Sequence, residues 1–140
     1  MAYLTQEEKK ELAPGIKNVL KRYGVKASIA IYHHSTLVIN IKEGALDLLG
    51  AAQRFNNRFA ELHGEHPTQI GKFYQANPYR DPEDYRIVDS KVADFYRDLV
   101  RAMKGNRWFD KSDMMTDYSD IAYFLSINVG QYNKPYSVTA

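Results

Sequence analysis

The sequence predicts an α+β fold: a three- to four-stranded antiparallel or mixed sheet packed by about three helices. Apolar residues recur at three- and four-residue spacing in three segments, which is typical of amphipathic helices. In two other regions, around 27–42 and 121–129, they alternate with a period of two, which is typical of strands. The predicted order of elements is α-β-β-α-(β)-α-β, within a single domain that covers residues 1–140.

The first helix is predicted to begin at Thr5, because Thr5 and Glu8 have the spacing of a capping box. An apolar stripe follows as far as Tyr23, and Gly24 is placed to end the helix. Pro14 should kink or divide it, because proline lacks the backbone N–H that a helix interior uses. The alternating residues of 27–42 then predict a β-hairpin with a loop longer than two residues, since Asn-Gly and Asp-Gly are absent.

The second helix is predicted from about Ala45 to Leu62, and Gly64 closes it. Its apolar face, which helical spacing assigns to the core, consists of Leu48, Leu49, Ala52, Phe55, Phe59 and Leu62. The stretch 63–84 contains several Gly and Pro residues among aromatic residues and predicts a long loop, of the kind that is often functional. Residues 85–88 predict a short strand that leads into a helix capped by Asp89 or Ser90 and ended by Gly105. Asp110 is expected to cap a short helical turn, and 121–129 predict the last strand, with odd positions facing the core.

Composition narrows the possible functions. The chain has no cysteine, which excludes disulfides and thiolate chemistry and suits a reducing cytoplasm. No stretch approaches the ~20 apolar residues of a membrane span, and the N-terminus lacks the pattern of a signal peptide. We therefore expect a soluble cytoplasmic protein that does not contact membranes. Basic and acidic residues are nearly balanced, 19 against 17. The composition therefore indicates neither an acidic surface that mimics DNA nor a histone-like polycation.

Metal and catalytic motifs are weak. His33 and His34 are adjacent, so in a strand they would point to opposite faces, and His63 and His66 lack the partners of a closed zinc site. Ser35 stands beside a histidine, but adjacency in sequence is not the geometry of a catalytic triad. Phosphate-binding glycine loops are absent. The sequence predicts no cofactor and no resident metal.

Four aspartates make the densest group of carboxylates, which could hold a cation or act as acid and base. They are Asp110, Asp113, Asp117 and Asp120. They do not follow the alternating pattern of a calcium loop, and aspartate is also a favoured helix cap. Capping and solvation are the favoured interpretation, while a cation or catalytic site stays open.

The residues that suggest binding combine basic and aromatic side chains, which serve both phosphate contacts with base stacking and protein-binding hot spots. The predicted partner-binding or nucleic-acid-binding residues are Arg54, Asn57, Arg58, Lys72, Tyr74, Tyr79, Arg107 and Trp108.

Four segments carry a resemblance to a known group of proteins. They are LAPGIK (12–17), HSTLV (34–38), DKSDMMTDY (110–118) and INVGQYNKPY (127–136). The chain resembles small uncharacterised proteins of bacteriophages and mobile elements that are related to the large polyvalent protein-associated domains. The resemblance implies a product made inside an infected or recipient bacterium, and it implies no particular site residues.

Three functional hypotheses follow from the sequence. The first is a non-enzymatic accessory protein that binds a macromolecule, such as a host protein complex, and inhibits host defence as anti-CRISPR proteins do. The second is a nucleic-acid-binding module, whose affinity would fall with salt. The third is a divalent-cation-dependent enzyme that uses the aspartates of 110–120. The oligomeric state does not follow from the sequence.

Overall fold

The computed structural model describes residues 2–106, 108–111 and 121–139. Within them the chain forms three α-helices, a 3₁₀ turn and a five-stranded mixed sheet, which confirms the predicted α+β class. In chain order the elements are α1 (Gln6–Arg22), β1 (Val25–Tyr32), β2 (Thr36–Gly44), α2 (Leu48–His63), β3 (Tyr74–Ala76), the 3₁₀ turn (Pro82–Tyr85), α3 (Ser90–Lys104), β4 (Phe124–Val129) and β5 (Ser137–Val138).

The sheet has the order β1-β2-β4-β3, with the two-residue β5 pairing with β2. The hairpin of β1 and β2 is antiparallel as predicted, while β2 pairs with β4 in parallel. The odd positions of β2 and β4 enter one core together with α1 and α3, because successive side chains of a strand point to opposite faces. Ile39 and Ile127, which are register partners, are both fully buried in that core.

The helix boundaries follow the predicted caps. Thr5 and Glu8 form the capping box, and α1 continues through Pro14 without being divided. Asp89 caps α3 by accepting hydrogen bonds from two backbone N–H groups, and Gly105 ends that helix. The second helix begins at Leu48, three residues later than predicted, because the side chain of Asp47 caps it at Gly50 N.

The prediction of a strand at 85–88 is wrong. Asp81 accepts a hydrogen bond from the Glu83 backbone, and Pro82 occupies the start of the 3₁₀ turn, so the chain coils here instead of extending. Two backbone N–H groups, of Val88 and Asp89, then donate to the Tyr85 carbonyl. The sequence did not reveal two strands. They are β3, which pairs antiparallel with β4 inside the stretch predicted as a loop, and the two-residue β5, which pairs with β2.

The remaining loop residues and the C-terminal tail are held by specific contacts. The Gln53 side chain donates to the Thr68 carbonyl and accepts from Ile70 N, which fastens the loop along α2. In the tail, Tyr136 is buried, whereas Tyr132 is 89% exposed and its ring contacts the Phe73 ring edge-on, at 6.3 Å between centroids. The short helical turn predicted from Asp110 to Met115 lies mostly outside the described residues, and Asp110 itself forms a β-bridge with Ile121.

Candidate protein-binding surface

The C-terminal half of α2 exposes apolar side chains that its periodicity assigned to the core. Leu48 and Ala51 in the first turn are fully buried, but Phe59 is 47% exposed and Leu62 is 69% exposed. Helical spacing sets the residues that share a face, but not how far along the helix other elements cover that face. The last two turns of α2 therefore present a large apolar surface.

The 3₁₀ turn adds a third apolar side chain to this surface. Ile87 follows the turn and is 67% exposed. Arg86 beside it pairs with Glu83 at 2.6 Å and with Asp94 of α3 at 2.8 Å. These ion pairs link the turn to α3, and Ile87 lines the same groove as Phe59 and Leu62 of α2.

A shallow groove joins the two elements, and we call it the Phe59 surface. Its lining residues are Phe55, Arg58, Phe59, Leu62, Arg80, Glu83, Asp84 and Ile87. A second groove, lined in part by Asn57 and Glu61, adjoins it and shares Arg58 and Ile87 with it. Exposed apolar residues grouped in this way, with polar groups around them, mark interaction sites more often than single exposed residues do.

Stacked aromatic rings support the Phe59 surface from below. The ring of Phe55 lies 6.4 Å from that of Phe59 and 5.0 Å from that of the buried Tyr85, measured between centroids. The Arg80 guanidinium lies 4.6 Å from the centroid of the Phe55 ring, within range of a cation–π interaction. His63 stacks on Phe59 at 4.1 Å. The surface therefore rests on packed rings that lose little entropy when a partner binds.

The charges of the surface are mixed. Arg54 lies between two carboxylates, with nitrogen–oxygen distances of 3.7 Å to Asp47 and 3.5 Å to Asp89. Arg58, one helical turn later, forms no ion pair with any residue that the structure describes. Glu61, Glu83 and Asp84 add negative charge to the same region. Two arginines of the groove lining thus have no ion pair among the described residues: Arg58, and Arg80, whose guanidinium lies over the Phe55 ring.

Two tyrosines predicted to bind a partner form hydrogen bonds that connect parts of the fold. The hydroxyl groups of Tyr74 and Tyr85 are 3.0 Å apart. Burial first, and then the hydrogen bond with Tyr74, raise the pKa of Tyr85 well above its ordinary value of 10.0. Tyr79 accepts a hydrogen bond from Leu125 N, at 2.8 Å, although its ring is 51% exposed.

The other predicted binding residues lie apart from the Phe59 surface. Lys72 is exposed, and its carbonyl accepts a hydrogen bond from Tyr136 N near β5. Trp108 is half-buried, donates from Nε1 to the Tyr123 carbonyl at 2.9 Å, and has the Lys104 ammonium 4.5 Å from its ring centroid. Arg107 lies outside the described residues. Of the predicted set, the structure brings Arg54, Asn57 and Arg58 together on α2.

The candidate metal and catalytic residues form no cluster in the part of the chain that the structure describes. No group of three or more His, Asp or Glu residues with metal-binding geometry occurs there. His33 and His34 lie at the hairpin tip, and Nδ1 of His63 is 2.9 Å from the Phe59 carbonyl. Asp113, Asp117 and Asp120 lie outside the described residues, so the hypothesis of a site built from them stays a prediction.

Sequence reasoning missed Phe59, Leu62, Ile87 and Arg80 as surface residues. The sequence did contain one relevant pattern for α2: its apolar stripe extends past the residues that are buried in the core, to Phe59 and Leu62. Nothing in the sequence shows where that contact ends.

Comparisons with known proteins identify no relative of this chain. No protein-family model matches the chain, and neither the curated proteins nor the solved structures contain a match. Among the described residues, none of the helices has the length and apolar character needed to cross a membrane.

Proposed function

We propose that this protein acts by binding another protein through the Phe59 surface. The observation that carries the proposal is the exposure of Leu62 and Ile87, 69% and 67%, in one groove that Phe55 and Phe59 also line. Exposing such side chains to water costs free energy that a partner recovers by covering them, roughly 25 cal/mol per Å² of apolar area. Aromatic residues and arginine around an apolar centre are also the composition of protein-binding hot spots.

A protein partner fits this surface better than a nucleic acid does. Aliphatic side chains such as Leu62 and Ile87 offer no ring on which a base can stack. Glu61 and Asp84 would repel phosphates, while Glu83 is paired with Arg86 and Arg54 with two carboxylates. We infer a partner that presents an apolar side chain to the groove and a carboxylate to Arg58.

The resemblance to phage and mobile-element proteins supports a search for that partner among bacterial host proteins. Binding without catalysis is compatible with inhibition of a host defence complex, in the manner of anti-CRISPR proteins. That specific role rests on the resemblance alone, and the Phe59 surface supports only the binding.

The test compares two double variants that change charge equally. Leu62→Asp/Ile87→Asp places two carboxylates on the Phe59 surface, and Tyr3→Asp/Tyr132→Asp places two at exposed aromatic positions elsewhere, 56% and 89% exposed. Immobilised wild-type protein is used to isolate a partner from bacterial lysate, and the purified partner is titrated against each variant. We expect binding to be lost in the first variant and retained in the second, while both keep their fold, because exposed substitutions usually change stability by under about 0.5 kcal/mol.

Two results would refute the proposal. One is a partner whose affinity is equal for both variants. The other is tight, salt-sensitive binding of labelled oligonucleotides in fluorescence anisotropy with no protein retained, which would support the nucleic-acid hypothesis.

A further inference from the structure

The first strand of the hairpin forms one edge of the sheet. β1 pairs with β2 on one side, and on its other side it pairs with no strand among the described residues. A register shift falls between Lys26 and Ala27, and from Ala27 to Tyr32 the pairing with β2 is regular. Alternate backbone N–H and C=O groups over 27–32 therefore point outward from the sheet, which makes this edge a template for an added strand.

Side chains along this edge are incompletely covered. Ile29 and Ile31 pack against the core but remain only partly buried, whereas their pairing partners Ile39 and Leu37 are fully buried. The difference arises because β2 has neighbours on both sides and β1 has one. An additional strand would complete the burial of Ile29 and Ile31 beneath α1.

A basic groove runs between this edge and α1. It is lined by Gln6, Lys9, Lys10, Ala13, Lys17, Ala27, Ser28 and Ile29. No carboxylate belongs to this lining, and the three lysines form no ion pair with the described residues. Glu8, which is near them in sequence, is engaged by Thr5 in the capping box. The groove thus carries uncompensated positive charge beside free backbone hydrogen-bonding groups.

We propose that the β1 edge binds an extended, acidic segment of a partner protein by strand addition. Backbone hydrogen bonds to 27–31 would hold the segment, and every second side chain would point toward α1, where carboxylates meet Lys10 and Lys17. The segment's charge follows from the lysines, and its extended form follows from the open edge. This binding site is separate from the Phe59 surface and does not depend on the function proposed for it.

Charge also argues against a second copy of this chain as the occupant. If two β1 strands paired across a two-fold axis, each α1 would bring its lysines toward those of the other, because an isologous interface repeats the same patch on both sides. Like charges placed opposite each other destabilise such an interface. An acidic strand removes this repulsion, while a second β1 creates it.

The experiment titrates a synthetic hexapeptide of alternating Val and Glu, with blocked ends, into isotopically labelled protein and follows backbone amide resonances. We expect amides of 27–31 to shift and those of α2 to stay in place. In Lys10→Glu/Lys17→Glu the affinity should fall about tenfold or more, since two partly exposed charge pairs become repulsive. The control Lys91→Glu/Lys134→Glu changes net charge equally at two exposed sites, on α3 and in the C-terminal tail, that do not line the groove, and it should retain wild-type affinity.

Several outcomes would overturn the inference. They are equal affinity in the two double variants, shifts that map away from β1, or no shift at millimolar peptide. Sedimentation showing a dimer in which the β1 amides are protected from exchange would assign the edge to a second copy instead. Because these variants leave the Phe59 surface intact, a failure here leaves the protein-binding proposal standing.

Discussion

The phenolic oxygen of Tyr79 lies 2.8 Å from the backbone nitrogen of Leu125 and accepts its hydrogen bond. β3 pairs with β4 only as far as Ala76, opposite Ile127. Beyond that point β3 offers no backbone partner to β4, and the Tyr79 hydroxyl accepts the hydrogen bond of the Leu125 N–H in its place. Tyr79, which the sequence suggested for partner binding, therefore also supports the edge of β4 through its side chain.

Replacing Tyr79 with Phe should lower the free energy of unfolding by about 1–2 kcal/mol, because it leaves the N–H of Leu125 without a partner in a residue that is only 5% exposed. Urea denaturation measures the change. Tyr132→Phe is the matched control, since Tyr132 is 89% exposed, and it should leave stability unchanged. Equal stability of Tyr79→Phe and wild type would contradict this account of the hydrogen bond.

The tail is predicted to depend on Gly130. This residue has a φ of +75°, and a Cβ added there would lie 2.6 Å from the backbone nitrogen of Tyr136. Gly130→Ala should destabilise the protein by about 2 kcal/mol or more, because both the left-handed backbone and the contact oppose a side chain. Gly71→Ala is the control, with no atom within 4 Å of the added carbon. Thermal unfolding of both variants tests the prediction, and similar melting temperatures would refute it.

The hairpin tip contains two consecutive residues in the left-handed region, His33 with φ 56° and His34 with φ 58°. Ser35 N donates to the Tyr32 carbonyl across them. Two positive φ values in a hairpin turn favour Asn followed by Gly. His33→Asn/His34→Gly should therefore raise the free energy of unfolding by about 1 kcal/mol. Urea denaturation should show the gain. His66→Gly is the control for loss of an exposed histidine. A loss of stability in the double variant would show that contacts of His33 and His34 stabilise the protein more than their backbone strain destabilises it.

Stability should fall at alkaline pH because of buried tyrosines. Burial raises the pKa of Tyr123 and of Tyr136 from 10.0 to about 12. The unfolded chain then loses these protons at lower pH than the folded protein does. The stabilisation is complete below pH 10.0 and is lost as the pH rises through about 12. Urea midpoints measured across this range should decline in wild type and in Tyr132→Phe alike, and a constant midpoint would contradict the prediction.

Local patterns in the sequence predicted the helices and the hairpin because caps and periodicity are local properties. The capping box at Thr5 and the apolar stripe of α3 needed no information from distant residues. The strand predicted at 85–88 failed because Asp81 and Pro82 favour a turn that overrides the apolar pair Ile87–Val88. β3 was missed because a three-residue strand acquires its identity from β4, about fifty positions later in the chain.

The candidate site could be predicted only in part for the same reason. Arg54, Asn57 and Arg58 share one face of α2 and were found by spacing. The exposure of Leu62 and its position beside Ile87 depend on the path of the chain between them, which is set by the contacts of Gln53 with the loop and of Arg86 with α3. Sequence periodicity contains no information on these contacts.

The most direct test of the central claim is a calorimetric titration of the isolated partner protein against Leu62→Asp, with Tyr132→Asp in parallel and circular dichroism to confirm that both variants are folded. If the Phe59 surface binds the partner, the affinity of Leu62→Asp should fall about a hundredfold, as expected when a carboxylate replaces the centre of a hot spot, and that of Tyr132→Asp should match wild type. Wild-type affinity in a folded Leu62→Asp variant would contradict the account.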